Sequence, residues 1–339
     1  MVFMQDYQCQ FVKDLVDFKA LKFGTFPLKS GRISPYFINM GDAMNSRNKI
    51  YAVAKAYAEA AKRNDIDFDF LYGPAMKGIP LATAIALELY NGKGRKSVRF
   101  GFDVKEQELD ALPADVKIRN ERSGTKITGQ ALLPPRKLSG AGMKYIASVD
   151  EFKNGNGMNI LDSDCVFGSA YAGIPAAIAL LYGSSFIAKD IRFAYDRQSE
   201  KTHGVTAEKL IVGDIRDKDK VFVVDMATGP KNGFYGDIRP GDNVLRVDDV
   251  VTSGMTDAQS RKKLSSVQPG INQRGLLVGV DRMEIDERGE SLAKSLERMG
   301  QELFSIVTAQ EVFNAARENG WCSKQDYENF LAYRKQYGR

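Results

Sequence analysis

The residues most able to do chemistry lie in Val244-Leu-Arg-Val-Asp-Asp-Val-Val-Thr-Ser-Gly-Met-Thr256. An apolar run ends in two adjacent carboxylates, Asp248 and Asp249, and a short loop of Thr252, Ser253, Gly254 and Thr256 follows. The pattern predicts a buried parallel strand whose C-terminal end delivers acids into a crevice, then a loop that opens a helix. Backbone N–H groups and hydroxyls at a helix N-terminus favour a phosphate. Two carboxylates beside them suit sugar hydroxyls or a metal-bound sugar. An Asp-Asp pair at a strand end is otherwise a solvated turn. The ordered hydroxyl–Gly–hydroxyl tail argues against that plainer reading.

Such a strand needs a sheet to hold it. The chain has 339 residues, 43% hydrophobic and 27% charged, enough for one large domain or two ordinary ones. Residues 5–20 read as an amphipathic helix with Phe11, Leu15 and Phe18 near helical spacing. Residues 23–39 read as two short strands joined by a Ser-Gly turn. An Ala-rich helix over 47–62 precedes a strand at 68–72, a tight Gly73-Pro-Ala-Met-Lys-Gly78 loop, an apolar helix over 79–90 and a strand at 98–102. This is the repeating unit of a parallel sheet. Residues 103–163 are polar and carry Pro134-Pro135 and Asn154-Gly-Asn-Gly157. They read as an insertion, with strand hairpins on the rim of the sheet. Towards the C-terminus the pattern predicts a strand at 274–280 ending in Asp281-Arg282, a helix over 289–299, a strand at 304–307, and helices over 309–318 and 324–336.

Two segments occur twice. Phe70-Leu-Tyr-Gly-Pro-Ala-Met-Lys-Gly-Ile-Pro80 returns as Cys165-Val-Phe-Gly-Ser-Ala-Tyr-Ala-Gly-Ile-Pro175, so that 164–196 is a second copy of 69–103. Gly213–Gly229 is answered by Gly236–Gly254, which makes 213–235 a degenerate copy of the acid-bearing strand. Neither recurs at a fixed period, so these are local duplications and not a solenoid.

Composition excludes several classes. No apolar run approaches the roughly 18 residues of a membrane span, and no basic region precedes an apolar core at the N-terminus. Cys9, Cys165 and Cys322 are odd in number and far apart, which argues against a disulfide framework and for a reducing, cytoplasmic setting. The net charge of +5 suits anionic small substrates, and its interleaving with acids argues against nucleic acid. His203 is the single histidine, so a site needing two from one subunit is excluded.

With these pieces in order, the chain from about residue 10 onward resembles the orotate phosphoribosyltransferases, a branch of the type I phosphoribosyltransferases. Leu28-Lys-Ser-Gly-Arg-Ile-Ser-Pro-Tyr-Phe37 is similar to that family's N-terminal hood, and Gly73–Pro80 to its diphosphate loop. Tyr195-Asp-Arg-Gln-Ser-Glu-Lys-Thr-His-Gly204 is similar to its catalytic loop. Val244–Thr256 is similar to its motif for 5-phosphoribosyl-1-diphosphate (PRPP). The resemblance implies an α/β fold: a central, mostly parallel sheet flanked by helices, with a hood over residues 1–45, the inserted polar segment, and a single domain over 1–339. It also implies that the chain ends where the transferase ends, without the decarboxylase domain fused to it in some organisms.

By the same resemblance Asp248 and Asp249 hold the ribose hydroxyls, and Thr252, Ser253, Gly254 and Thr256 cradle the 5-phosphate. Lys77, Arg197, Lys201 and His203 serve the leaving diphosphate. Lys29 and Arg282 take orotate's carboxylate and ring oxygens, under the ring of Phe37. Mg²⁺ is expected mainly through PRPP and water, with no assigned protein ligand. A homodimer that exchanges the loop carrying Lys201 and His203 is implied too. Three departures stand out: Gln198 and Met76 differ from the family's usual Lys and Tyr, and the second copy has Tyr171 but carries Ala172 in place of Lys77 and Ser169 in place of Pro74. Asp225-Met-Ala-Thr-Gly229 has lost one acid of the pair. The first copy is therefore expected at the diphosphate. Two alternatives remain: a PRPP-binding regulator without catalysis, against which Lys201 and His203 speak, and a transferase for another base, against which Lys29 and Arg282 speak.

Overall fold

The architecture is that of a computed structural model, which describes residues 4–28, 31–91, 98–103, 163–168, 171, 173–183, 189–196, 211–213, 221–224, 234–252 and 254–339. In chain order its elements are helix α1 (Asp6–Asp17), strands β1 (Leu21–Pro27) and β2 (Ile33–Ile38), α2 (Arg47–Arg63), β3 (Phe70–Gly73), α3 (Gly78–Asn91), β4 (Arg99–Asp103), β5 (Cys165–Gly168), α4 (Gly173–Gly183), β6 (Arg192–Asp196), β7 (Ile211–Gly213), β8 (Val221–Val224), β9 (Phe234–Tyr235), β10 (Asn243–Val251), α5 (Met255–Val267), β11 (Asn272–Asp281), α6 (Leu292–Glu297), β12 (Glu302–Thr308), α7 (Ala309–Glu318) and α8 (Lys324–Tyr337). The chain divides into two compact units. One comprises Met1–Ala43, Ala52–Phe102 and Gly236–Arg339, the other Met44–Tyr51 and Asp103–Tyr235.

In the first unit, five parallel strands lie side by side in the order β12, β11, β10, β3, β4. Their continuous apolar runs suit strands buried on both faces. Phe70, Leu71 and Tyr72 of β3 are fully buried, as are Val244, Leu245 and Val247 of β10 and Leu277, Val278 and Val280 of β11. Helices α1, α3, α6 and α7 pack on these strands. The hood is an antiparallel hairpin of β1 and β2, in which Leu21 faces Ile38 and Phe26 faces Ser34. Along β2 every second residue is buried (Ser34, Tyr36, Ile38), so one face turns inward. Helix α6 is shorter than the 289–299 expected. Ser291 caps its start by accepting from Lys294 N, and Gly300 adopts a φ of 67° beyond its end.

The second unit holds β7, β6, β5 and β8 in that order. Its register repeats that of the first unit residue for residue. Phe70 pairs with Arg99 and Gly73 with Phe102, while Cys165 pairs with Arg192 and Gly168 with Tyr195. Val244 pairs with Phe70, and its counterpart Val221 pairs with Cys165. The duplication seen in the sequence is thus a duplication of structure, β10–β3–β4 answered by β8–β5–β6. Within this unit Ser46 bridges to Arg192, Ser46 Oγ donates to Asp190 at 2.8 Å, and Tyr51 stacks on Tyr182 with centroids 4.1 Å apart. The expected rim hairpins of the insertion lie outside the described residues, as does the run from Asp225 to Gly229.

Each copy turns from strand to helix by a close backbone approach that only glycine permits. A Cβ on Gly73 would lie 2.0 Å from the Gly78 carbonyl oxygen, and one on Gly168 would lie 2.8 Å from that of Gly173. Gly183, at the end of α4, has open space. Gly73→Ala should therefore destabilise the protein by about 1–3 kcal/mol, the usual cost of overpacking. Gly183→Ala should leave the thermal midpoint nearly unchanged. Equal midpoints for the two variants would show that the Gly73 turn has room to spare.

Candidate functional site

Strand β10 carries Asp248 and Asp249 to its C-terminal end, as the apolar run before them requires. Lys77, at the end of the Gly73–Gly78 loop, reaches across from the neighbouring β3 and places its Nζ 2.7 Å from Asp249 Oδ2. Behind the acids, the buried Tyr57 of α2 donates its hydroxyl to the Asp248 carbonyl at 2.8 Å. Gly279 of β11 makes room for that hydroxyl, since a Cβ there would sit 2.8 Å from it. Asp249 N donates to Asp248 Oδ1 at 2.8 Å, and Val250 N to Asp249 Oδ1 at 2.9 Å.

Two carboxyls this close cannot share one charge state. Burial, then the charge of Asp249, pushes the Asp248 carboxyl well above the ordinary aspartate value. Burial would raise Asp249 too, but the Lys77 ammonium and its hydrogen bond outweigh that and hold it below. The two carboxyls are thus displaced in opposite directions, Asp248 upward and Asp249 downward.

The loop after β10 is fixed at both ends. Gly254 caps α5 in the left-handed region (φ 82°), and a Cβ there would meet Leu292 at 2.5 Å. Thr252 and Thr256 are exposed beside it. Arg246, 1% exposed, donates Nε to Asp257 in the first turn of α5 at 2.7 Å. It also donates to Gln273 and Gln301, each at 3.0 Å. Arg261 takes the other Asp257 oxygen at 2.8 Å. Strand and helix are therefore pinned together on either side of a loop whose helix N-terminus suits a phosphate.

At the end of β11, Arg282 N donates to the Val251 carbonyl at 3.2 Å, so this segment closes against the acid strand. The Arg282 side chain is buried. Its Nε donates to Glu284 at 2.6 Å and its Nη2 to Ser34 of the hood at 2.8 Å, and the guanidinium lies 4.1 Å from the centroid of the Tyr36 ring. Tyr333 of α8 donates to the same Glu284 oxygen at 3.0 Å, and burial pushes the Tyr333 hydroxyl up to about 12.

No sequence-family profile matches the chain. Individual relatives do. The orotate phosphoribosyltransferase of Marinobacter nauticus is 45% identical over 105 residues, 31% of this chain and 48% of that protein. That of Kluyveromyces lactis is 43% identical over 105 residues, 30% and 46% of the two. The chain spans about half the length of the curated relatives it matches. Among solved structures, an orotate phosphoribosyltransferase of Francisella tularensis superposes with a TM-score of 0.53 at 20% identity, covering 97% of this chain and 99% of that one. The UMP synthase of Leishmania donovani gives 0.52 at 16% identity, covering 97% and 42%. The fold is that of a type I phosphoribosyltransferase. In sequence, about a third of the chain resembles the orotate branch.

On this phosphoribosyltransferase fold the first copy's loop stands beside the acid pair, because β3 pairs with β10. Lys77, Asp248 and Asp249 come together at the C-terminal ends of β3 and β10, with Thr252, Gly254 and Thr256 following directly. Lys29, Arg197, Lys201, His203 and Ser253 lie outside the described residues. Arg282 and Phe37, both expected at the base, meet different rings of the hood. Tyr36 carries Arg282, while Phe37, one residue on, packs near Phe26 with centroids 5.6 Å apart. Alternation along a strand enforces this. Sequence reasoning missed Tyr57, Ser34, Tyr36 and Glu284. Only Gly279, a glycine inside an apolar strand, hinted at the close approach of Tyr57.

The uneven acid pair has a titration signature. Native Asp248 keeps its proton above the ordinary value of 3.8, so the folded chain binds more protons than the unfolded one in that window. Wild-type stability therefore falls as pH rises through it. Asp248→Asn cannot titrate, and its thermal midpoint should gain on the wild type from pH 4 towards neutrality. Asp249 has the opposite sign. Its stabilisation is complete above 3.8 and is lost as pH falls through its lower native value. Asp249→Asn should thus fall furthest below the wild type near neutrality and converge with it in acid. Midpoint differences that stay flat with pH for both variants would show that the two carboxyls titrate normally.

Proposed function

We propose that the chain transfers the 5-phosphoribosyl group of PRPP to orotate, giving orotidine 5-phosphate and diphosphate in pyrimidine nucleotide synthesis. The observation that carries this reading is the 2.7 Å contact between Lys77 and Asp249. It joins a lysine-bearing Gly-Pro-Ala-x-x-Gly loop to an acid pair that runs into a hydroxyl-rich helix N-terminus. The curated relatives, which are orotate phosphoribosyltransferases, point the same way.

In the proposed reaction the C1–O bond to diphosphate breaks and the electron pair leaves with the diphosphate. The C1–N1 bond to orotate forms, and the N1 proton goes to water. Positive charge develops on C1 as it does in glycosyl transfer. Asp248 and Asp249 grip the ribose hydroxyls, and the anionic Asp249 stabilises the charge on the sugar. Thr252, Ser253, Gly254 and Thr256 orient the 5-phosphate. Lys77, with Arg197, Lys201 and His203 from the loop, meets the departing diphosphate, and Lys29, Phe37 and Arg282 serve the base. A loop that closes over the sugar excludes water from a reactive cation. The proposal includes a homodimer in which that loop serves the partner's site, and a cytoplasmic setting. Among the described residues no helix is long and apolar enough to cross a membrane.

Mg²⁺ belongs to this proposal. Among the described residues no group of three or more His, Cys, Asp and Glu side chains could hold a metal. Two carboxylates, one paired with Lys77, fit an ion that would be bound mainly by diphosphate and water, and Asp248 and Asp249 would be the residues nearest it. When bound, the ion would neutralise charge on the leaving diphosphate.

Purified protein given PRPP, Mg²⁺ and orotate should consume orotate, followed by ultraviolet absorbance. Asp249→Asn should lower kcat/KM by about tenfold to a thousandfold, the range for losing one to three charge-assisted contacts. Lys77→Ala should raise the PRPP KM or depress kcat, while Tyr171→Ala in the second copy should do neither. A folded Asp249→Asn variant with unchanged kcat/KM would remove this site from the reaction.

Loop exchange makes a separate statement. Lys201→Ala and Asp249→Asn should each be nearly inactive alone and recover activity when mixed, because one of the two hybrid sites combines an intact loop with intact acids. Failure to recover, with subunit exchange confirmed by mass, would mean that the loop acts within its own subunit or that the protein is not a dimer.

A further inference from the structure

Arg282 sits in a buried charge cluster that does not balance. Glu284 is shared between two guanidiniums. Its Oε1 accepts from Arg282 Nε at 2.6 Å, and its Oε2 lies 3.3 Å from Arg32 Nη1. Arg32 also donates to the Ile285 carbonyl at 2.8 Å and covers the Tyr337 ring at 4.7 Å. Asp281, the other acid nearby, is occupied: it accepts from Met283 N at 2.7 Å and pairs with Arg339 at 2.5 Å. Two arginines thus share one carboxylate, and the Asp281–Arg339 pair is neutral by itself. Among the described residues of this cluster one positive charge is left over, shared between Arg282, whose side chain is 3% exposed, and Arg32, whose side chain is 14% exposed. An excess buried cation calls for an anion.

The donors of Arg282 are divided in the same sense. Nε is committed to Glu284 and Nη2 to Ser34, while Nη1 donates to no described residue. Ser34 Oγ is itself held, donating to the Tyr36 carbonyl at 2.7 Å. The Tyr36 ring supports the plane of the guanidinium from one side. Five donors in a rigid planar fork can be aimed only if one edge is anchored. Here the anchored edge faces the hood and Glu284. The backbone of Arg282 is bonded to Val251, two residues beyond the acid pair.

We infer that Ser34 and Glu284 are positioning residues that clamp Arg282 in one orientation, present its Nη1 edge to the base substrate, and so set the preference for an anionic base over a neutral one. This inference rests on the reaction proposed above. The two residues do not touch the substrate in this account. They act through Arg282, and their removal should be felt by the base and not by PRPP.

Steady-state kinetics of Ser34→Ala and Glu284→Gln, with orotate and PRPP varied separately, tests this. Loss of one anchoring hydrogen bond in Ser34→Ala should raise the orotate KM about tenfold, with the PRPP KM within about twofold and kcat at saturation little changed. Glu284→Gln should do the same more strongly. In both variants the ratio of kcat/KM for orotate over uracil, which lacks the carboxylate, should fall by a similar factor. If Glu284→Gln does not fold, Ser34→Ala decides the matter alone. An unchanged orotate KM in Ser34→Ala, or orotate and PRPP KM values rising together, overturns the positioning role while leaving the reaction intact. A wild-type protein that turns over neither base with PRPP overturns the reaction and this inference with it.

Discussion

A guanidinium buried inside the acid-bearing strand constrains everything around it. Arg246 points into the protein from the middle of β10, and a lone buried charge costs several kcal/mol. Its partners are therefore not optional. Asp257 must come from α5, Gln273 from β11, and Gln301 from the segment before β12. Two elements and the segment before β12 are located by one side chain. Such a pair adds little net stability over an apolar core, so its value here is geometric. It sets the distance between the end of β10 and the start of α5, and hence the span of the loop at which a phosphate is favoured. The glycine at that helix start, pressed against Leu292, leaves the loop no other path.

The second unit shows the same strand order without that constraint. The position of Arg246 is Val223 in the copy, and β8 is the outermost described strand of its sheet, where β10 has β11 beside it. An apolar residue needs no glutamine from a further strand. The register is nevertheless identical. What sets it must be common to both copies, and the shared elements are the Gly-to-Gly strand–helix turns and the apolar runs. Topology in this chain thus follows from local turn chemistry and apolar periodicity, while the chemistry of the site follows from the few polar residues that only one copy kept.

That distinction explains what was legible in the sequence. The strands and the acid pair at the end of β10 were readable because they rest on periodicity and on residue types within one segment. The pairing of Arg282 with Ser34, 248 residues away, was not readable. Nor was the Tyr57 hydroxyl behind the acids, nor the fact that Tyr36, not Phe37, faces Arg282. Those depend on how the hood and α2 pack, and a one-residue step along β2 reverses the face. The duplicated segments were readable, but not that the second copy forms a unit of its own, which depends on which strands pair.

The acid pair draws these threads together. In the proposed reaction Lys77 has two claimants, Asp249 and the diphosphate. While Lys77 holds Asp249 the carboxylate is neutralised, and burying it is tolerable. When diphosphate draws Lys77 away, Asp249 would be an uncompensated buried charge, which is expensive. The developing positive charge on C1 is the one partner that appears at that moment and is absent before it. An interaction realised in the transition state and not in the ground state is the kind that lowers a barrier. The upward shift of Asp248 suits this division, since a carboxyl that takes a proton more readily than its neighbour adds less charge for Lys77 to balance. On this argument the uneven titration of the pair is a working feature of the site: one carboxyl is held charged by a lysine that the leaving group can take.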